Sequence, residues 1–239
     1  MTIHKLTVII PCYNEEKTIK RVLEKVNSIE SIINIPIEII VINDGSTDLT
    51  SITIEEFTQK SGKKIIELTH EENKGKGACI KTALNHVTGS IVIIQDADLE
   101  YDPRDYCKML PLIMEDKADV VFGSRFRGSE PHRVLFFIHT IGNKLLTFIS
   151  NIFTGINLTD METGYKMFRT GILKQIRLKE DRFGFEPEVT AKISHIKGIR
   201  IYEVGISYFG RTYSEGKKIG FVDGVRALFC IFKYNIFPK

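Results

Sequence analysis

The chain has 239 residues, 43% of them hydrophobic, 26% charged and 10% aromatic, with a formal net charge of +3. That length holds one generous domain with a sizeable core, and these fractions exclude disordered, collagenous and disulfide-scaffold classes. A charge this slight gives no argument for nucleic acid as a partner.

In chain order, compact apolar runs at residues 6–11, 37–44, 64–68, 91–96 and 120–123 lack polar alternation, as strands buried on both faces do. Between them, residues 16–29, 50–60, 75–85 and 104–115 carry helical apolar spacing, for example Ile19, Val22, Leu23 and Val26. This alternation predicts an α/β fold with a mainly parallel sheet covered by helices. Residues 132–154 are aliphatic and aromatic with few charges and predict one or two amphipathic helices, with Gly142-Asn143 as a candidate break. A helix over 186–195, a strand over 199–206 and a last helix over 221–234 complete the pattern. No repeat, low-complexity tract or long linker divides the chain, so a single domain is expected.

Cys12, Cys79, Cys107 and Cys230 are scattered without CxxC or Cys/His clustering, the pattern of reduced thiols in a cytosolic protein. Neither a signal peptide nor a spanning helix is expected.

The unusual residues gather where predicted strands end: Pro11-Cys12-Tyr13-Asn14-Glu15-Glu16, Asn43-Asp44-Gly45-Ser46-Thr47-Asp48 and Asp96-Ala97-Asp98-Leu99-Glu100. In open α/β sheets these carboxyl ends form the ligand crevice. Each turn taken singly also reads as ordinary turn and N-cap chemistry. Asp96 and Asp98, one residue apart after an apolar strand and followed by Glu100, suit a hard divalent cation, Mg²⁺ or Mn²⁺, that keeps positions open for phosphate oxygens. Asn73-Lys74-Gly75-Lys76-Gly77 is a Gly-rich turn feeding a helix, suited to phosphate or base approach, and is neither a Walker A nor a dinucleotide fingerprint. His70-Glu71 begins a zinc-protease pattern that fails at Lys74. Residues 200–239 hold seven Lys or Arg against three Asp or Glu, among them Arg211, Lys217, Lys218 and Arg226. These residues, with Arg125, suit an anion, although a solvated basic face would read the same way.

Together these blocks resemble the family 2 glycosyltransferases of the GT-A fold, and within them the dolichol-phosphate mannose synthase branch of polyprenyl-phosphate sugar transferases. Gly123-Ser124-Arg125-Phe126, residues 159–166, residues 184–188 and residues 210–218 match in the expected order. The resemblance implies a Rossmann-like, nucleotide-sugar-binding mixed sheet, with a donor half at 1–125 and an acceptor half at 126–239. It implies that Pro11, Tyr13, Glu15, Asp44, Gly75, Lys76, Asp96 and Ala97 bind the nucleotide sugar, and that Asp96, Asp98 and Glu100 hold Mg²⁺ or Mn²⁺. Relatives in that branch often have Gln where Glu100 stands; Glu keeps the oxygen ligand and adds charge. Arg125, Arg211, Lys217 and Lys218 would hold the acceptor phosphate.

The implied reaction is an inverting, metal-dependent transfer of a hexose, mannose or glucose, from GDP-mannose or UDP-glucose to polyprenyl phosphate. Asp98, Arg211 and Asp160 are the catalytic candidates. A sugar-hydroxyl acceptor, the alternative, would require a carboxylate base, with Asp160, Glu186 and Glu188 as candidates. A non-catalytic nucleotide-sugar-binding module is the third reading. The apolar stretches at 132–154 and 227–232 then suit a membrane interface beside the cationic site, or plain core packing. A cytoplasmic protein, peripheral at a membrane face or joined to a membrane partner protein, is expected.

Overall fold

The computed structural model describes residues 5–128, 131, 133–134, 137–212 and 220–237. Seven strands form one sheet in the order β3-β2-β1-β4-β6-β5-β7. The strands are β1 (Leu6–Cys12), β2 (Ile37–Asn43), β3 (Ile65–Thr69), β4 (Ile91–Ile94), β5 (Val120–Ser124), β6 (Lys166–Arg169) and β7 (Ile201–Gly205). The helices are α1 (Ile19–Ile33), α2 (Thr50–Ser61), α3 (Lys76–Leu84), α4 (Tyr106–Met114), α5 (Phe137–Thr154), α6 (Thr170–Gln175), α7 (Phe185–Ser194) and α8 (Phe221–Ile236).

The unbroken apolar strands follow from burial on both faces. Val8, Ile10, Ile39, Val41 and Ile93 pack into one core with α1 and α4. Their neighbours Ile9, Ile40, Ile42, Val92 and Ile94 feed a second core with α3 and α7. β1 pairs in parallel with β2 and β4, so the carboxyl ends of all three strands open on the same edge.

The sheet departs from the expected parallel pattern at one strand. β6 runs antiparallel to both β4 and β5 and lies between them. Its four residues, KMFR, carry a charge at each end and give no apolar run. Lys166 is nevertheless fully buried, its ammonium 5.1 Å from the centre of the Phe122 ring. α6, the short helix directly after β6, was likewise without a sequence signal.

The expected break at Gly142-Asn143 is absent, and α5 is one helix. A Cβ on Gly142 would meet nothing within 4 Å, so the glycine only weakens an exposed turn, by about 1 kcal/mol. β4 ends at Ile94 rather than at residue 96, which leaves Asp96 in the turn. Among the described residues no helix is long and apolar enough to cross a membrane.

Candidate active site

The turns after β1 and β2 brace each other. Asn14, in the left-handed region at φ 53°, receives Thr47 N on Oδ1 at 2.8 Å, and its own N–H donates to Ser46 Oγ at 3.0 Å. Asn43 Oδ1 accepts from Ser46 N, and Asp48 Oδ1 accepts from Thr50 N at the start of α2. For Asn43, Ser46, Thr47 and Asp48 the turn-and-cap reading is therefore the structural one. Pro11 and Tyr13 are half-buried at this edge, and Glu15 is buried beside them.

Asp44 points inward. Its oxygens accept from Lys74 N at 3.0 Å and Gly75 N at 2.7 Å, and His70 Nδ1 lies 2.6 Å from Oδ1. In this structure the carboxylate orders the Gly-rich turn that leads into α3. The glycines are required by the chain that covers them. Gly75 sits at φ +101°, with room for a Cβ only 2.6 Å from Asp181 O, and a Cβ on Gly77 would press into Glu180 O.

The turn then aims Lys76 at two carboxylates. Its Nζ lies 2.7 Å from Asp96 Oδ1 and 3.1 Å from Glu186 Oε1. Burial works against the charge on Lys76, but Asp96 and Glu186 outweigh it and hold the ammonium protonated well above its ordinary range. Gly164 completes this wall. A Cβ there would press into Asp96 Oδ2 and lie 2.8 Å from Lys76 Nζ.

Asp98 and Glu100 face Arg211, which arrives from the end of the chain. Arg211 Nη2 donates to Asp98 Oδ2 at 3.1 Å, Nη1 to Glu15 Oε2 at 3.3 Å, and the Arg211 N–H to Glu100 Oε1 at 2.7 Å. Glu100 Oε2 accepts from the Tyr208 hydroxyl at 2.6 Å, and Phe209 N–H reaches Glu100 O at 2.9 Å. Residues 208–211 are thus clipped onto the acidic turn, which passes through Leu99 at φ 65°. Burial, then Glu100 and Asp96, push the Asp98 carboxyl up to about 7.

Glu15, Asp96, Asp98 and Glu100 offer only hard oxygen ligands, and crowding has raised Asp98; this donor set fits Mg²⁺ or Mn²⁺. The carboxylates of Asp96, Asp98 and Glu100 do not close to within 4.8 Å of one another, since Lys76 and Arg211 stand among them. The one trio that does close so far among the described residues, Asp44, His70 and Cys79, is a poor metal site. Asp44 already accepts two backbone N–H groups, both His70 nitrogens are engaged, and burial pushes the Cys79 thiol up.

The other predicted residues divide clearly. Arg125 is held bidentate by the fully buried Asp160, with Nε–Oδ2 and Nη2–Oδ1 both 2.7 Å, and lies 5.2 Å from the Tyr208 ring centre. Glu188 caps the 179–180 turn through Lys179 N and Glu180 N and binds Lys192. Of the three candidate bases only Glu186 keeps an oxygen without a partner. Ala97 is buried. Lys217 and Lys218 lie outside the described residues. Sequence reasoning missed Tyr208, Gly164, Glu162 and Lys166 as site residues. The last three stand inside the 159–166 block, which was the one signal for them; Tyr208 had none.

The chain matches the family described as glycosyl transferase family 2 over residues 7–177. It is 29% identical to a UDP-N-acetylglucosamine–dolichyl-phosphate N-acetylglucosaminyltransferase of Methanococcus voltae, over 93% of this chain and 92% of that one. It is 25% identical to a dodecaprenyl-phosphate galacturonate synthase of Rhizobium johnstonii, over 89% of this chain but 61% of that protein's length. A dolichyl-phosphate beta-glucosyltransferase of Trichomonas vaginalis is 29% identical over 90% of this chain and 68% of its own. Among solved structures, glucosyl-3-phosphoglycerate synthase from Mycobacterium tuberculosis, in complex with Mn²⁺, UDP and phosphoglyceric acid, superposes with a TM-score of 0.74 at 16% identity. That match covers 99% of this chain and 80% of that one and establishes the GT-A fold.

Proposed function

The chain belongs to the family 2 glycosyl transferases, and from that premise we propose that it moves a hexose, mannose or glucose, from GDP-mannose or UDP-glucose to a polyprenyl or dolichyl phosphate, with inversion. The observation that carries this reading is the meeting of Arg211 with Glu15, Asp98 and Glu100, which brings a cation of the acceptor half onto the acidic edge of the donor half. The names of the relatives, all transferases or synthases of lipid-linked phosphates, support the same acceptor class. We read residues 1–239 as one domain, with residues 1–125 serving the donor and 126–239 the acceptor.

In this reading Pro11, Tyr13, Glu15 and Ala97 line the nucleotide, while Asp44 and Gly75 fix the turn that delivers Lys76 to the diphosphate. Asp96, Asp98 and Glu100 would hold Mg²⁺ or Mn²⁺, which when bound neutralises the leaving diphosphate. The acceptor phosphate oxygen attacks the anomeric carbon in line as the bond to the nucleoside diphosphate breaks, and the diphosphate leaves with the electron pair. That oxygen is already anionic near neutral pH, so no strong base is required, which agrees with the engagement of Asp160 and Glu188. Positioning and electrostatic stabilisation supply the rate. Arg211, with Lys217 and Lys218, clamps the acceptor phosphate. Arg125 acts through its pair with Asp160, which shapes the turn beneath.

α5 and α8 turn apolar side chains outward, among them Ile138 at 80% exposure and Phe148 at 62%. This supports contact with a membrane surface at its cytoplasmic face, where a polyprenyl tail would enter.

The test is incubation of the full chain with Mn²⁺, polyprenyl phosphate and each labelled donor. A lipid-extractable sugar, absent with Asp98→Ala, is the expected product. Transfer to glycan hydroxyls but not to the lipid phosphate would replace the reading, and unchanged turnover in Asp98→Ala would remove the metal role.

A further inference from the structure

Two carboxylate oxygens are buried without a hydrogen-bond partner, Glu186 Oε2 and Glu162 Oε1. Glu186 is only 4% exposed, and its other oxygen holds Lys76 at 3.1 Å. An unsatisfied buried acceptor is costly, so two of them close enough to feel each other's charge call for donors that the protein does not itself supply. Gly164 leaves room for Asp96 and Lys76 where a Cβ would stand, and Glu162 lies two residues before it. Glu162 and Glu186 also feel each other's charge, which with burial pushes the Glu162 carboxyl up to about 8.

We propose that Glu162 and Glu186 form the subsite for the donor's sugar ring, accept hydrogen bonds from its hydroxyls, and select neutral sugars over uronic acids. The inference rests on the nucleotide-sugar reading above and deepens it. The cations near the subsite are already engaged. Lys76 is shared by Asp96 and Glu186, Arg125 is held by Asp160, and Lys166 donates to Met161 O and Thr163 O. A sugar hydroxyl satisfies an orphan oxygen, whereas a uronate carboxylate would set its charge against that of Glu186, and above about pH 8 against that of Glu162 as well. Sites built to receive a hydroxyl discriminate strongly, because the wrong ligand leaves buried polar groups unpaired.

The test is calorimetric titration of the full chain with Mn²⁺ against UDP, UDP-glucose and UDP-glucuronate, and against GDP, GDP-mannose and GDP-mannuronate. The expected result is that the nucleotide that binds does so more tightly with the neutral sugar attached, and at least tenfold more weakly with the matching uronate than with that neutral sugar. Glu186→Gln should narrow that gap to within about threefold near neutral pH, and Glu162→Gln should do so at pH 8.5, where the native carboxyl is ionised. Affinity for the free nucleoside diphosphate should stay nearly constant in Glu162→Gln, whereas Glu186→Gln, which also loosens Lys76, is read through the gap between the two sugars. A uronate that binds the native protein as tightly as the neutral sugar overturns the subsite without any variant, as does an undiminished gap in both variants. Failure of both UDP and GDP to bind would instead remove the nucleotide-sugar reading, and this subsite with it.

Discussion

Arg211 Nη2 lies 3.1 Å from Asp98 Oδ2, so a guanidinium stands against the carboxylate proposed above as a ligand of a divalent cation. Two cations cannot share that carboxylate at close range without mutual repulsion. On the proposed role of Asp98 as a metal ligand, metal binding to the free protein displaces Arg211 from it and frees that side chain for the proposed acceptor phosphate. Arg211→Gln should tighten Mn²⁺ binding to the free protein by about tenfold, the order of one hydrogen bond to a charged group. The same variant should lower transfer to lipid phosphate. Mn²⁺ titration followed by electron paramagnetic resonance reads the first effect and the product assay the second. Unchanged or weaker Mn²⁺ binding would show that Arg211 does not compete.

Gly164→Ala puts a methyl group against Asp96 Oδ2 and 2.8 Å from Lys76 Nζ. Both neighbours are side-chain ends and can shift, so the fold should survive with a small change in Tm. The Lys76–Asp96 pair should not keep its geometry. Small misplacements of this kind cost tenfold to about hundredfold in rate, and the loss should fall on the donor KM and kcat together. Native kinetics in this variant would mean that the pair is not part of the donor site.

The strands and the acidic turn were legible in the sequence because burial on both faces leaves unbroken apolar runs, and three polar turns at one sheet edge are hard to explain otherwise. β6 was not legible, since its pattern KMFR reflects two antiparallel neighbours, contacts made far along the chain. Arg211 was legible as a cation but not as the partner of Glu15, a residue 196 positions away. Asp44 stood in a block that implied a nucleotide contact, and only the fold revealed that Lys74 N, Gly75 N and His70 claim its oxygens. The orphan oxygens of Glu162 and Glu186 had no signal at all, because the absence of a partner is a property of the packed interior.

Glu162 gives the native protein a pH dependence of defined sign. Burial and Glu186 raise its carboxyl from an ordinary 4.5 to about 8, so between those values the folded chain binds more protons than the unfolded one. Its contribution to stability is therefore complete below 4.5 and lost as pH rises towards 8. Glu162→Gln, which cannot ionise, should flatten the decline of Tm across that window. At the upper end the variant should melt higher by about 2–4 °C, the shift that 1 kcal/mol produces in a chain of this size. Lys166, Arg125 and Asp160 face the same carboxylate and stay in place in the variant, so the difference isolates Glu162. Parallel Tm curves for the two proteins would contradict the raised value.

The outward face of α5 makes the last prediction. Phe137, Ile138, Leu145, Phe148 and Ile152 are each more than half exposed, and α8 adds Val225 and Phe229. The two helices touch through Phe153 and Phe232, whose ring centres lie 4.9 Å apart, so their apolar surfaces adjoin. Cations stand close by: Arg226 lies 5.3 Å from the Phe229 ring centre, and Lys144 5.7 Å from that of Phe126. An apolar surface with Lys144 and the Glu180-paired Arg226 near it suits a membrane interface better than solvent. The double variant Ile138→Ser/Phe148→Ser removes two side chains that support little of the core, so its Tm should stay within a few degrees of the native value. Sedimentation with phosphatidylcholine–phosphatidylglycerol vesicles should show at least tenfold weaker binding, since inserting even part of each side chain is worth about 1 kcal/mol or more. Added salt should weaken native binding further by screening Lys144 and Arg226. Vesicle binding that is equal in both proteins would assign this face to another role, and native self-association lost in the variant would assign it to a second copy of the chain.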